Sequence, residues 1–164
     1  MAFKKNLFVP NKLDYIRGNK RPEVKCILCS ILENDPKVES LLLWKNDLIA
    51  VSLNLYPYNP GHLLFFPIRH IVDIREMTDI EADNLFKLNK KFMDILDKLY
   101  FPKGYNLGFN IKDASGASID HLHQHLVPRY FKELGFVDLI SGSKIIVEDP
   151  IVTLGKLKKA LEVE

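Results

Sequence analysis

The sequence predicts an α+β fold: a mainly antiparallel sheet with one long helix inserted between its strands. Two observations carry this. Short apolar runs bounded by turn residues recur along the chain, whereas only the segment from Thr78 to about Tyr100 holds a helical period for long. The strand-like runs do not alternate with helices in βαβ fashion, which argues against a parallel, doubly wound sheet.

At 164 residues the chain is expected to form one domain with its own core, residues 25–164, preceded by an N-terminal arm over 1–24. A net charge of +2 is too slight for a surface that coats nucleic acid. The apolar runs Leu41–Trp44 and Leu63–Pro67 are too short to span a membrane, and Met1–Asn6 lacks the apolar core of a signal peptide. Two cysteines do not make a disulfide scaffold, so a reduced, cytoplasmic setting is expected.

The arm is polar and rich in Lys and Arg, with Tyr15 and Ile16 as its obvious anchor. Cys26-Ile27-Leu28-Cys29 is a C-x-x-C, open at this point between a redox dithiol and half of a tetrahedral metal site. A short helix after Cys29 is broken by Asn34-Asp35-Pro36. Glu39–Trp44 and Leu48–Leu53 read as a hairpin around Lys45-Asn46-Asp47, and Leu55–Gly61 as a turn-rich loop. His62–Pro67 reads as a strand buried on both faces. Thr78-Asp79-Ile80-Glu81 is a capping box, followed by apolar residues at Leu85, Leu88, Phe92, Ile95 or Leu96, and Leu99. Phe101-Pro102-Lys103-Gly104 should stop this helix near Tyr100. Tyr105–Ile111 reads as a strand and Asp113–Ser118 as a loop of small residues that lets backbone N–H groups approach an anion. A further strand over Ser143–Val147 and an amphipathic helix from about Val152 to Leu161 close the chain.

The chemistry centres on Asp120–Arg129, where His121, His123 and His125 alternate. Read as a strand, this segment places the three imidazoles in a row on one face. Such a row suits metal ligation or nucleophilic and acid–base work near neutral pH, while the plain reading is a histidine-rich surface strand. The remaining two of the five histidines, His62 and His70, flank one short segment.

His121-Leu122-His123-Gln124-His125-Leu126-Val127 resembles the signature of the histidine-triad (HIT) superfamily of nucleotidyl hydrolases and transferases. Asn59–Pro67 is similar to that superfamily's other hallmark strand, and Asn54 and Asn110 fall at matching spacings. Over about Cys26 to Val147, with Leu53–His62 and Gly142-Ser143-Lys144, the chain most resembles microbial diadenosine tetraphosphate phosphorylases of the fragile-histidine-triad branch. Gln124 departs from the pattern at a usually apolar position; either that side of the strand is less buried or Gln124 bonds a neighbour.

The resemblance implies a HIT-like fold and cleavage of dinucleoside polyphosphates at the α-phosphate through a nucleotidyl-histidine intermediate. In that scheme His123 is the nucleophile, its other ring nitrogen held by a carbonyl on the facing strand, with His121 and His125 completing the catalytic set. His125 and His62 contact the phosphates, Asn110, Gly116 and Ser118 surround them, and Asn54 binds the ribose. Inorganic phosphate or water is the acceptor, and no catalytic metal is needed. The resemblance also implies a structural zinc on Cys26, Cys29, His70 and His121, and a homodimer. Lys144 and Arg129 are candidate contacts for the acceptor, or simply surface cations. A nucleoside phosphoramidase of the same fold, a metallohydrolase using the histidine row, and a nucleotide-binding regulator remain as alternatives.

Overall fold

The computed structural model describes residues 22–131 and 148–162. Most of the expected N-terminal arm, the expected strand at Ser143–Val147 and Lys144 lie outside the described residues.

Five strands among the described residues form one sheet: β1 (Leu42–Lys45), β2 (Ile49–Leu53), β3 (Leu63–Pro67), β4 (Gly104–Phe109) and β5 (Gln124–Arg129). The order is β1-β2-β3-β5-β4, and each neighbouring pair is antiparallel. The hairpin expected around residues 45–47 is present, though β1 begins at Leu42 rather than Glu39. The Asn46 side chain closes it by accepting the backbone N–H groups of Leu48 and Ile49 at 3.0 and 2.8 Å.

The long helix, α2, spans Asp79–Tyr100, with α1 (Ile27–Leu32) before the sheet and α3 (Pro150–Glu162) after it. The capping box is as the sequence predicts: Thr78 Oγ1 accepts the Glu81 N–H, and the Glu81 carboxylate accepts the Thr78 N–H at 2.8 Å. Glu81 is buried, and Arg69, just past β3, clamps its two oxygens at 2.6 and 2.8 Å. The helix start is thereby tied to the end of the central strand. At the other end Phe101 takes a left-handed conformation (φ 51°) just before Pro102, which ends the helix.

The two faces of the sheet do different work because strand side chains alternate. Ile49, Val51, Leu53, Leu63, Phe65 and Leu126 meet Leu85, Leu88, Phe92, Ile95 and Leu96 of α2 and Leu157 of α3 in the main core. On the opposite face Ala50 and Phe66 pack with Ile27, Leu28 and Ile31 of α1. Among the described residues that face is only partly covered. Register aligns Ser52, Leu64, His125 and Gly108 across four strands of it, and the first three floor a cavity.

Gln124 faces α2, where its Oε1 accepts a hydrogen bond from the buried Asn89 at 2.7 Å. The exception to the apolar pattern is therefore a polar pair bridging sheet and helix.

Two measurements check this architecture. Phe92→Ala, which empties a site with no solvent exposure, should destabilise the protein by about 3–5 kcal/mol in chemical denaturation. Phe86→Ala on the solvent side of α2 should shift it by less than about 0.5 kcal/mol. The Arg69 guanidinium, with burial opposing it, holds the Glu81 carboxyl down at about 2. A carboxyl lowered in the folded state stabilises it above the ordinary value of 4.5, and this contribution is lost as pH falls from there toward 2. Glu81→Gln should flatten that part of the acid stability curve.

Candidate functional site

Two side-chain clusters meet at the segment leading into β5, which begins only at Gln124. His121 and His123 therefore lie in irregular chain before the strand, and the three histidines do not form one row of contacts. His121 belongs to a cysteine cluster, and His62 from the start of β3 joins His123 and His125 instead.

The cysteine cluster follows from local structure. Cys26 is the N-cap of α1, its sulfur accepting the Cys29 N–H at 3.5 Å, so Cys29 lies inside the helix rather than before it. One helical turn brings both sulfurs to the same side. His70 arrives from the loop after β3, and the four donor atoms lie within 4.8 Å of one another. Cys26 Sγ is 3.4 Å from His121 Nδ1, and Cys29 Sγ is 3.4 Å from His70 Nδ1 and 3.6 Å from His121 Nδ1. Zn–S bonds of about 2.3 Å and Zn–N bonds of about 2.0–2.1 Å at tetrahedral angles separate S from N by about 3.5 Å.

The donor set thus fits a structural zinc, three of its sulfur–nitrogen distances already being near those of a tetrahedral site. His121 Nε2–H donates to the Pro67 carbonyl at 3.0 Å, which turns the Nδ1 lone pair toward the sulfurs. Burial pushes the Cys29 thiol up to about 12, helped by its bond to Cys26, and burial takes the His121 imidazole down to about 4. A thiol in that setting ionises on meeting a cation, and releases its proton then.

The second cluster has its tautomers dictated by hydrogen bonds. His123, buried, donates Nδ1–H to the His121 carbonyl at 2.7 Å, which leaves the lone pair on Nε2. The acceptor belongs to the histidine's own segment, not to the facing strand as expected. Burial also lowers the His123 pKa, opposed by the bond to that carbonyl, so the neutral ring is favoured. His62 Nδ1 accepts the Tyr58 N–H at 3.1 Å, so its proton sits on Nε2 and is donated to His125 Nδ1 at 2.9 Å. His125 in turn carries its proton on Nε2. His62 Nε2 and His125 Nδ1 are turned on each other, and His123 Nδ1 on a carbonyl. Among the described residues, the cysteine cluster is the grouping of three or more Cys, His or acidic donors that could hold a metal.

His62 is held by its own loop. Gly61 takes φ +79°, and a Cβ there would meet Leu96 at 2.8 Å, so glycine is required at this bend. The Tyr58 ring stacks on His62 with centroids 4.9 Å apart.

A cavity of about 470 Å³ opens over the free sheet face. Its apolar end is walled by Ile27, Leu28 and Ile31 of α1, and its polar end by Asn110, Gly116, Ser118, His123 and His125, with Asn54 alongside. Asn54 Oδ1 accepts the Tyr56 N–H at 3.0 Å, leaving its amide nitrogen as the donor near His62. His62, expected to contact phosphates, has no exposure and stands behind His125 rather than on the wall. Arg129 bonds Asn106 at 3.0 Å and lies on neither cavity. A neighbouring cleft of about 460 Å³ shares Asn110, Gly116 and Ser118, so the loop 110–119 separates the two. Sequence reasoning missed Tyr58 and the α1 wall; the signal for the latter was the spacing of Ile27, Leu28 and Ile31, apolar at i, i+1 and i+4 right after Cys26.

Comparisons with known proteins show the family and the fold. Residues 35–132 match the family described as HIT domain. The chain is 38% identical over 109 residues to an AP-4-A phosphorylase of Mycobacterium tuberculosis, covering 66% of this chain and 56% of that one. It is 33% identical over 105 residues to an uncharacterized HIT-like protein of Methanocaldococcus jannaschii, covering 64% and 79%. The chain thus spans about half the length of its mycobacterial relative. Among solved structures, a Zn-bound histidine triad family protein from Mycobacterium smegmatis superposes with a TM-score of 0.68 at 20% identity, covering 85% of this chain and 94% of that one. A HIT family member from Bacillus subtilis gives 0.61 at 29% identity, covering 66% and 76%. The fold is the HIT fold, as the sequence predicts.

Imidazole ¹⁵N spectra check the hydrogen-bond logic. His123 should appear as the Nδ1–H tautomer, and His62 and His125 as Nε2–H. An Nδ1–H tautomer at His125 would contradict the chain drawn here.

Proposed function

This chain belongs to the HIT domain family, and on that premise we propose that it is an enzyme that cleaves dinucleoside polyphosphates such as diadenosine tetraphosphate through His123. The observation that supports this most directly is the 2.7 Å bond from His123 Nδ1 to the His121 carbonyl. It fixes a neutral imidazole, with its Nε2 lone pair on the opposite edge, in the wall of a nucleotide-sized cavity. The apolar end beside α1 suits a base, Asn54 the ribose, and Asn110, Gly116 and Ser118 the α-phosphate.

In the first step His123 Nε2 attacks the α-phosphorus. The N–P bond forms as the P–O bond to the departing nucleoside polyphosphate breaks. His123 Nδ1 keeps its proton and goes on donating it to the His121 carbonyl, which stabilises the positive charge gained by the ring. His125 Nε2–H donates to the oxygens that gain negative charge, and His62 keeps that tautomer in place from behind. In the second step inorganic phosphate attacks the nucleotidyl-histidine and regenerates His123. Diadenosine tetraphosphate then gives ATP in the first step and ADP in the second. Water in place of phosphate gives AMP, and the resemblance to phosphorylases favours phosphate.

We also propose that Cys26, Cys29, His70 and His121 hold a structural zinc. When bound, it cross-links α1, the loop after β3 and the segment before β5. Among the described residues β4 is an edge strand with Asn106, Leu107 and Gly108 exposed, and that edge suits a homodimer in which two sheets meet. No helix among the described residues is long and apolar enough to cross a membrane, and a cytoplasmic setting remains part of the proposal.

Turnover of diadenosine tetraphosphate, with products separated by ion exchange, tests the reading. ADP plus ATP should form only when phosphate is present; AMP plus ATP regardless of phosphate would make the protein a hydrolase. Cleavage of a nucleoside phosphoramidate, with the tetraphosphate untouched, would refute the proposed substrate. His123→Ala should lower kcat by at least about a thousandfold while nucleotide still binds. For the metal, elemental analysis should find one zinc per chain, lost in Cys26→Ser together with thermal stability. Full zinc content in that variant would rule the site out.

A further inference from the structure

We infer that the Cys26–Cys29–His70–His121 cluster is a positioning device for the nucleotide site, so that a thiophilic divalent cation held there governs both nucleotide affinity and the orientation of His123. This rests on the reading of His123 as a nucleotidyl acceptor. It goes further, because it assigns the cluster a role in catalysis as well as in stability.

The geometry provides two separate links. The first runs through α1. That helix has six residues, too few to be stable by itself, and both cysteines belong to it: Cys26 as its cap and Cys29 within its first turn. The side chains interleaved with them, Ile27 and Leu28, and Ile31 one turn on, wall the apolar end of the cavity. Fixing the two sulfurs therefore fixes that wall.

The second link runs through His121. Its ring is held at both nitrogens, Nδ1 by the sulfurs and Nε2 by the Pro67 carbonyl, while its backbone carbonyl holds His123 Nδ1. The next residue, Leu122, donates its N–H to Ile71 at 2.7 Å, and Ile71 follows the ligand His70. The cluster and this backbone bond thus lash the segment before His123 to the loop after β3 at adjacent points. Without a cation, the sulfur–imidazole contacts reduce to weak S–H hydrogen bonds, and both links slacken. A displacement of about 0.5 Å or 10–20° is enough to spoil a catalytic constellation.

None of the four ligands lines the nucleotide cavity; His121 lines only the neighbouring cleft, and the cysteines and His70 line neither. Any effect of the metal on nucleotide must therefore pass through the positions of α1 and His123, and not through contact with the ligand.

The test uses the full chain loaded with zinc, the same protein after chelation and gel filtration, and the variants His70→Ala and His70→Cys. Three quantities are read on each: AMP affinity by calorimetry, the ¹⁵N signature of the His123 ring, and far-UV circular dichroism. Removing the metal should weaken AMP binding about tenfold or more and turn the single His123 tautomer into a mixture, with the circular dichroism largely kept. Loss of kcat on diadenosine tetraphosphate should exceed any change in KM. His70→Ala should behave like the chelated protein at one equivalent of zinc, and His70→Cys, which restores a fourth ligand, should return both readouts toward wild type. A folded metal-free protein with unchanged AMP affinity and a single His123 tautomer would overturn the inference. So would global unfolding in which the remaining folded fraction binds AMP as before. If loaded protein binds AMP yet turns over no dinucleoside polyphosphate, the functional reading fails, whereas the response of affinity and tautomer to metal still decides this inference.

Discussion

Everything in the site depends on the three attachments of His121. Its Nδ1 faces the sulfurs, its Nε2 is tied to Pro67 at the end of the central strand, and its carbonyl holds the ring of His123. No other residue could replace it in all three. The carbonyl is generic, but only an imidazole offers a hydrogen-bond donor and a metal-ligating lone pair on opposite edges of one rigid ring. Placing that ring two residues before His123 brings the cysteine cluster and the proposed nucleophile within one short stretch of chain, without either intruding on the other.

The rest of the fold makes that stretch rigid from behind. β5 lies between β3 and β4, and its inward face carries Gln124 and Leu126 against α2. A one-residue slip would exchange Leu126 with His125, burying an imidazole in the main core and exposing leucine in the cavity. The Gln124–Asn89 bond opposes such a slip more specifically than an apolar pair would, since a displaced Gln124 takes a hydrogen-bond partner from the buried Asn89. Arg69 and Glu81 act in the same sense at the other end, fixing the helix to β3.

Much of this was legible in the sequence, and the exceptions have physical reasons. Periodicity and capping identified α2 to within a residue at each end, because Thr78–Glu81 and the sequence after Tyr100 are strong local signals. The alternation of the histidines pointed to a functional strand but placed it four residues early. Local spacing does not reveal that His121 is drawn away by cysteines 95 and 92 residues distant. For the same reason His62 looked like a ligand contact. Only the β3–β5 pairing, which sets Leu64 opposite His125, shows that His62 stands behind its neighbour and acts on its tautomer. The cavity wall from α1 was invisible as such because six apolar-patterned residues do not distinguish core from pocket.

The hydrogen bonds also constrain how the site handles charge. His62 and His125 are neutral by the pattern that joins them, and burial favours neutral His123. On the proposed reading, stabilisation of a phosphoryl group comes from fixed N–H and amide dipoles, with loop 110–119 contributing Asn110 and the backbone around Gly116. Such dipoles gain strength in a partly desolvated cavity and need no reorganisation as charge develops. They also bind product oxygens less tightly than a cluster of cations would. A site that, as proposed, releases one nucleotide and admits a second acceptor on the same histidine is better served by that arrangement, provided the dipoles do not move. Rigidity is thus a requirement of the chemistry here, and the attachments of His121 are where the chain supplies it.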